Sequence, residues 1–232
     1  MIYLDNNATT AMDPQVIDLI AEEMRRGPSN PSSQHAIGRR ANECLDQAVQ
    51  RMGAGLGCDL SVPGGPRLIL TSGGTESNNL ALSGLRNDPS TPLVVSGIEH
   101  ASILAYAQDA SKRGCEIHFL PATPGGIVEV DALRKTLCQI QSNRSESASR
   151  KSPKTLVAVM SANNETGVIQ PIEAIYDICR EADALLHVDA TQSIGKVPAT
   201  VADIPADSIT ITAHKFHGPS GAGALWIKQG IP

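Results

Sequence analysis

An α/β fold with a largely parallel sheet is what this sequence predicts. Two observations carry the prediction. Short apolar runs of strand length alternate with segments whose apolar residues recur at helical spacing, the pattern of β-α-β units. Gly- and Pro-rich turns punctuate the chain, and no internal repeat is visible. The chain has 232 residues, enough for one large domain or two small ones and for a substantial core.

Asp13-Pro14 opens a helix predicted through about Arg25, with Val16, Ile17, Ile20 and Met24 on one face. Gly27-Pro28-Ser29-Asn30-Pro31-Ser32-Ser33 is a loop. A second helix is predicted from about His35 to Met52, its Ala41, Leu45, Ala48, Val49 and Met52 turned inward. Val62 to Pro66 is a turn. Arg67 to Thr71 reads as a buried strand, running into Ser72-Gly73-Gly74-Thr75-Glu76-Ser77 and a helix with Leu80, Leu82 and Leu85. Leu93 to Ser96 is the next strand, with Glu99-His100-Ala101-Ser102 at a helix start. A strand from Glu116 to Leu120 precedes a helix from Asp131 to about Ile140. Residues 142–154 form one low-complexity polar tract, expected to be a solvated, mobile loop. A strand from Thr155 to Met160 leads through a loop to Gly167 and then to a helix begun by Pro171, whose missing N–H costs nothing there. Leu185 to Val188, Ser208 to Thr212 and Ala222 to Ile227 complete the strands.

With 19 Lys+Arg against 24 Asp+Glu, the formal net charge is −5. This balance, with one Trp, three Tyr and two Phe, argues against a nucleic-acid surface, which needs clustered cations and stacking platforms. It leaves room for a local pocket that takes a small anion. No apolar run approaches the ~20 residues that span a bilayer. The start, Met1-Ile2-Tyr3-Leu4-Asp5, lacks the basic and apolar regions of a signal peptide, so a cytoplasmic location is expected. Cys44, Cys58, Cys115, Cys138 and Cys179 are odd in number and none forms C-x-x-C. They read as small buried hydrophobes or idle thiols rather than a disulfide or zinc framework.

Five strand exits carry polar residues with chemical potential, and each has a plainer reading beside it. Ser72-Gly73-Gly74-Thr75-Glu76 joins a strand to a helix start, whose free N–H groups suit a phosphate. Thr75 and Ser77 are candidate hydroxyl donors there. The same letters fit a capped turn. Asp189, ending His187-Val188-Asp189-Ala190-Thr191-Gln192, lies where α/β folds bind ligands, or caps a turn. Lys215 follows the β-branched strand Ser208–Thr212; a partly desolvated lysine there is a usable nucleophile, and an exposed turn lysine is the usual alternative. His100 suits ring stacking or proton transfer, or a structural hydrogen bond. Asn163 and Asn164 suit ligand positioning or Asx turns. Taken together, a phosphate cup, a stacking histidine, an amide, a carboxylate and a lysine are the set that pyridoxal phosphate requires.

The blocks Tyr3–Thr10, Asn30-Pro31-Ser32-Ser33, Thr71–Asn78, Glu99-His100, Asn163-Asn164-Glu165-Thr166-Gly167, His187–Ser193 and Ala213-His214-Lys215 span nearly the whole chain. In kind and order they resemble the cysteine desulfurases of the NifS/IscS type, in the class V group of fold-type I pyridoxal-phosphate enzymes. The resemblance implies a cofactor-binding large domain, residues 15–232, with a mostly parallel mixed sheet flanked by helices. Residues 1–14 are expected at the mouth of the active site beside a C-terminal small domain that this chain lacks.

Roles follow from the resemblance. Lys215 is the Schiff-base lysine and the expected base, and Asp189 pairs with the pyridinium nitrogen. Gln192 hydrogen-bonds the phenolate oxygen, and Gly74, Thr75, Thr212 and His214 hold the phosphate. His100 stacks on the ring and takes part in proton transfer, while Asn164 lies beside the ring oxygen and the substrate carboxylate. The implied reaction converts L-cysteine to L-alanine and passes sulfur to an enzyme cysteine as a persulfide. Implied partners are a second copy in a homodimer and a sulfur acceptor, such as a scaffold protein for iron–sulfur assembly or a protein of a tRNA-thiolation pathway. The nucleophilic cysteine and the carboxylate-binding arginine are expected beyond residue 232, so this chain is expected to bind cofactor without turning over cysteine. It is also expected to expose apolar surface meant for the missing domain and the second subunit. Selenocysteine lyase and class V aminotransferase are neighbouring readings on the same scaffold, and a non-catalytic scaffold with a vestigial site is a third.

Overall fold

A computed structural model describes residues 2–86, 88–145 and 153–231. The helices are α1 Pro14–Arg25, α2 Ala36–Gly55, α3 Gly74–Leu85, α4 Ala101–Lys112, α5 Val130–Ser145 and α6 Ile172–Glu181. The strands are β1 Arg67–Thr71, β2 Leu93–Ser96, β3 Ile117–Leu120, β4 Leu156–Met160, β5 Leu185–Asp189, β6 Ser208–Thr212 and β7 Gly223–Ile227. They form one seven-stranded sheet in the order β1-β7-β6-β5-β4-β2-β3. The pairs β3–β2, β2–β4, β4–β5 and β5–β6 are parallel. β7 runs against both neighbours, β6 and β1. The mostly parallel mixed sheet expected from the sequence is therefore the sheet observed.

Both faces of the central strands are buried, as parallel sheets require. Val157 and Val159 of β4 pack with Leu133, Leu137, Ile140, Ile175 and Ile178 of α5 and α6 on one side. Leu156 and Ala158 pack with Leu82, Leu85 and Ile103 of α3 and α4 on the other. Each Val, Leu or Ile among them contributes about 1.5–3 kcal/mol by leaving water. The alternation leaves the strand ends free to carry polar residues, which is what positions the site.

Several expectations need correction. The apolar stripe of α1 does not face the core: the helix buries none of its residues, and Ile17 and Met24 are 50% and 78% exposed. In α2 the buried residues are Gly38 and Gly53, and Met52 packs against the core while Leu45 stays exposed. Helical periodicity marks an apolar face but not what covers it. β1 is an edge strand rather than a buried one, and its Leu70 is exposed. α5 continues to Ser145, past the expected end near Ile140, so the polar tract starts as helix. Within it the Ser142 hydroxyl donates back to the Cys138 carbonyl at 2.9 Å. Residues 146–152 of that tract lie outside the described residues. At its far end Lys154 pairs with Asp183 at 2.6 Å.

All five cysteines are free thiols. Cys179 lies in the core, where burial pushes its thiol up to about 12. Among the described residues no helix is long and apolar enough to cross a membrane, and no cluster of His, Cys, Asp and Glu has metal-binding geometry.

Candidate active site

The exits of β1, β4, β5 and β6 open on one cavity of about 300 Å³. Gly74, Thr75, Asp189, Gln192 and Thr212 line it, and so do His100, Asn164, His214 and Lys215. The structure thus brings to one place every residue to which the family resemblance gives a role, while Ser77 and Asn163 stay outside it. Ala8, Asn78 and Thr191 share the lining, and the sequence reading gave none of them a role.

Asp189 ends β5 and is 4% exposed. Its Oδ1 accepts from the Thr191 N–H at 2.9 Å and its Oδ2 from the Asn78 side-chain amide at 2.8 Å. Because a carboxylate only accepts, Asn78 must turn its Nδ2 toward it. The other end of the amide, Oδ1, then meets His187 Nε2 at 3.1 Å. His187 is fully enclosed, and burial pulls its pKa down to about 4. It is therefore neutral at pH 7, with its proton on Nε2 toward Asn78 and Nδ1 accepting from the Ser208 hydroxyl at 2.8 Å. Asn78 also donates to Ser102 Oγ at 3.0 Å, and that hydroxyl meets His100 Nδ1 at 2.9 Å. The Ser102 N–H reaches the same nitrogen at 3.1 Å, so Nδ1 accepts and the ring's N–H is on Nε2. One amide thereby ties the carboxylate to the exposed histidine across the cavity.

At the β1 exit, the N-terminus of α3 begins at Gly73, with φ +154° and no side-chain cap. Glu76 folds back instead, accepting from the N–H and hydroxyl of Ser72, both at 2.6 Å, and those bonds hold its carboxyl below the usual range. Ser77 does not serve the cavity: it is buried and bonded to Thr71 Oγ1 at 2.7 Å. A methyl group on Gly74 would come within 3.2 Å of Thr191 Oγ1. That Thr191 hydroxyl is buried and has no hydrogen-bond partner. An uncapped helix start facing an orphaned hydroxyl is a cradle for an anion. Thr212 lines the same cradle, its hydroxyl donating to the Ala222 carbonyl at a long 3.3 Å.

Lys215 closes the 3-10 turn Ala213–Lys215 that follows β6. Its Nζ donates to the carbonyls of Asn7 (2.5 Å) and Ala8 (2.8 Å). Burial lowers its pKa, while Asp189 and Asp5 push it back up. His214 is lowered by burial, then by Lys215 and Lys196, so it is neutral at pH 7. The N-terminal segment lies across this corner as a strap. Thr10 N–H donates to the His214 carbonyl at 2.8 Å, and Gln192 Nε2 to the Asn7 carbonyl at 2.8 Å. In the β4 loop the two readings of the asparagines separate. Asn163 builds the turn, accepting from the N–H groups of Glu165 and Thr166 at 2.9 Å, while Asn164 lines the cavity.

Glu99, one residue before His100, is buried behind the site. Its Oε1 accepts from Met160 N–H at 2.8 Å and from the Ser96 hydroxyl. Burial raises its pKa to about 8 from an ordinary 4.5. Between those values the folded chain keeps a proton that the unfolded chain gives up, so rising pH favours unfolding by at most about 1.4 kcal/mol per pH unit. His187 acts with the opposite sign between 6.5 and about 4, and the two slopes cancel where they overlap. Stability is therefore expected to fall from pH 6.5 to about 8, and Glu99→Gln to flatten that decline. Thermal melts of both chains across this range check it; parallel curves would show that Glu99 does not titrate there.

The family model for aminotransferase class V matches residues 2–231, so the chain belongs to that family. Within it, the similarity is to cysteine desulfurases. A cysteine desulfurase of Cereibacter sphaeroides is 36% identical over 235 aligned residues, covering 100% of this chain and 56% of the relative. The cysteine desulfurase IscS of Dictyoglomus turgidum is 34% identical, covering 99% of this chain and 54% of the relative. Among solved structures, a NifS-like protein from Rickettsia africae superposes with a TM-score of 0.86 at 33% identity, over 100% of this chain and 59% of that one. The chain spans a little over half the length of these relatives.

Proposed function

We propose that this chain is the cofactor-binding portion of a pyridoxal-phosphate-dependent cysteine desulfurase, acting on L-cysteine to give L-alanine and passing the sulfur to a thiol as a persulfide. The observation that carries the reading is that Lys215, Asp189 and the uncapped α3 start line one cavity. The residues fit the cofactor: an orphaned Thr191 hydroxyl and free helix N–H groups stand where an anion is wanted, and a held carboxylate and a partly buried amine complete the set. When bound, pyridoxal phosphate supplies an electron sink that stabilises charge on the substrate's α-carbon.

Each residue then has a task of its own. The α3 N–H groups, Gly74, Thr75, Thr212 and neutral His214 hold the phosphate. Asp189, kept in place by Asn78 and Thr191, holds a proton on the ring nitrogen. Gln192 presents its amide to the phenolate oxygen and Asn164 to the substrate carboxylate. His100 would stack against the cofactor, with Nε2 as the nitrogen available for proton transfer. Lys215 would hold the cofactor at its aldehyde end, and its neutral amine would take the substrate's α-proton. Its lowered pKa supports that role, because a larger fraction of the amine is neutral and able to accept.

None of the cysteines lines the cavity. The thiol that receives sulfur is therefore proposed to approach from outside it, and a separate acceptor protein of iron–sulfur assembly or tRNA thiolation to follow. Exposed Ile17, Leu19, Met24, Ile37 and Leu45 on α1 and α2 support a homodimer or a further domain packed on that face.

The test is an absorbance titration of the 232-residue chain with pyridoxal phosphate. A visible band fixed by borohydride is expected. Incubation with cysteine is then expected to yield neither alanine nor persulfide in stoichiometric amount. No band would end the cofactor reading, and turnover of cysteine would show that the thiol acceptor lies within these residues.

A further inference from the structure

Gln192 carries a reversible amide, and nothing in its own chemistry decides which end faces the cavity. Lys196, four residues on, and the Asn7 carbonyl decide it together. Lys196 Nζ donates to Gln192 Oε1, and an ammonium only donates. Reversing the amide would set an NH₂ against the ammonium and an oxygen against the Asn7 carbonyl. The observed orientation leaves Nε2 donating to that carbonyl at 2.8 Å, and Gln192 itself lines the cavity.

The same ammonium also holds the N-terminal strap. It donates to Asn7 Oδ1 at 3.1 Å and lies 3.5 Å from the Asn6 carbonyl. The segment between Gln192 and Lys196 coils tightly: Ile194 N–H bonds the Ala190 carbonyl and Lys196 N–H the Ser193 carbonyl. This brings residues four apart to one side. Gly195, at φ +77°, allows the turn to close on Phe216, whose Cβ lies 2.6 Å from where a side chain at 195 would begin. Lys196 is thus seated against the segment that carries Lys215.

We propose that Lys196 is a positioning residue that sets the amide orientation of Gln192 and fastens the Asn6–Asn7 strap over the site. The proposal rests on the reading of the cavity as a pyridoxal-phosphate site for its effect on the cofactor, but not for its effect on the strap. Lys196→Met removes the donors from an exposed position, and Lys196→Arg keeps them. Without cofactor, hydrogen–deuterium exchange of the peptide Asp5–Thr10 is expected to quicken about tenfold in K196M, the size of one hydrogen bond to a charged group, and to stay near the wild-type rate in K196R. With pyridoxal phosphate, K196M is expected to bind about tenfold more weakly with a displaced absorbance maximum, and K196R to restore both. Equal exchange in wild type and K196M overturns the role in the strap. Equal affinity and an unmoved maximum overturn the role in orienting Gln192. A wild-type chain that gives no band refutes the cofactor reading instead, and the exchange rates then decide what Lys196 does.

Discussion

Lys215→Ala is expected to abolish covalent capture of pyridoxal phosphate. The wild-type chain treated with cofactor and borohydride should gain one pyridoxyl group, located on Lys215 by peptide mass spectrometry. K215A should gain none, while retaining weaker, reversible binding through the α3 cradle. The reason is positional. Lys215 is the lysine that lines the cavity, whereas Lys196 points its ammonium to Gln192 and Asn7. Two further consequences separate this from a general loss of structure. K215A frees the Asn7 and Ala8 carbonyls of their shared donor but leaves the Thr10–His214 bond, so the melting curve should change little. Labelling of any other lysine to the same extent would contradict the assignment.

The second large effect is expected at Asp189. Asp189→Asn keeps the size of the side chain and removes its charge. The amide then turns either an NH₂ toward Asn78 Nδ2 or an NH₂ toward the Thr191 N–H, because the carboxylate accepts from both. One donor is left facing another inside the protein. The ring nitrogen also loses the anion that would keep it protonated. Removing one member of a buried, hydrogen-bonded charge pair costs about 2–5 kcal/mol, so the affinity for pyridoxal phosphate should fall about 30-fold or more. Fluorescence or absorbance titration measures it. Binding within threefold of wild type would show that Asp189 does not touch the cofactor.

Much of the site was legible because strands are short and their ends are easy to mark. Ser208–Thr212 and Leu185–Asp189 announce themselves by β-branched and apolar residues, and whatever follows such a run stands at the sheet's edge. Lys215 and Asp189 could be found that way, and the order of the motif blocks supplied the rest. What could not be read is pairing at long range. His187 and Asn78 are 109 positions apart, and nothing local says that a buried imidazole will hold the amide that holds the carboxylate. A weaker signal was present: Asn78 lies three residues after Thr75, on the same side of α3. The Gln192–Lys196 spacing of four was likewise visible in principle. The stripe on α1 misled for the opposite reason, since an apolar helical face looks the same whether its partner is the core of the same domain or something else. Glu99 stood in a motif block but received no role, because burial, not sequence, makes that carboxyl unusual.

The reversed strand β7 has a consequence for how the chain comes into being. β1 holds the anion cradle at its end, yet its partner in the sheet is β7, which is joined in turn to β6 and the lysine. A nascent polypeptide leaving the ribosome carries β1 early and must wait for residues 223–227 before that strand can dock. The central parallel strands can collapse first, but β1 joins the sheet only when β7 slides between it and β6, a closure over long contour length of the kind that slows folding.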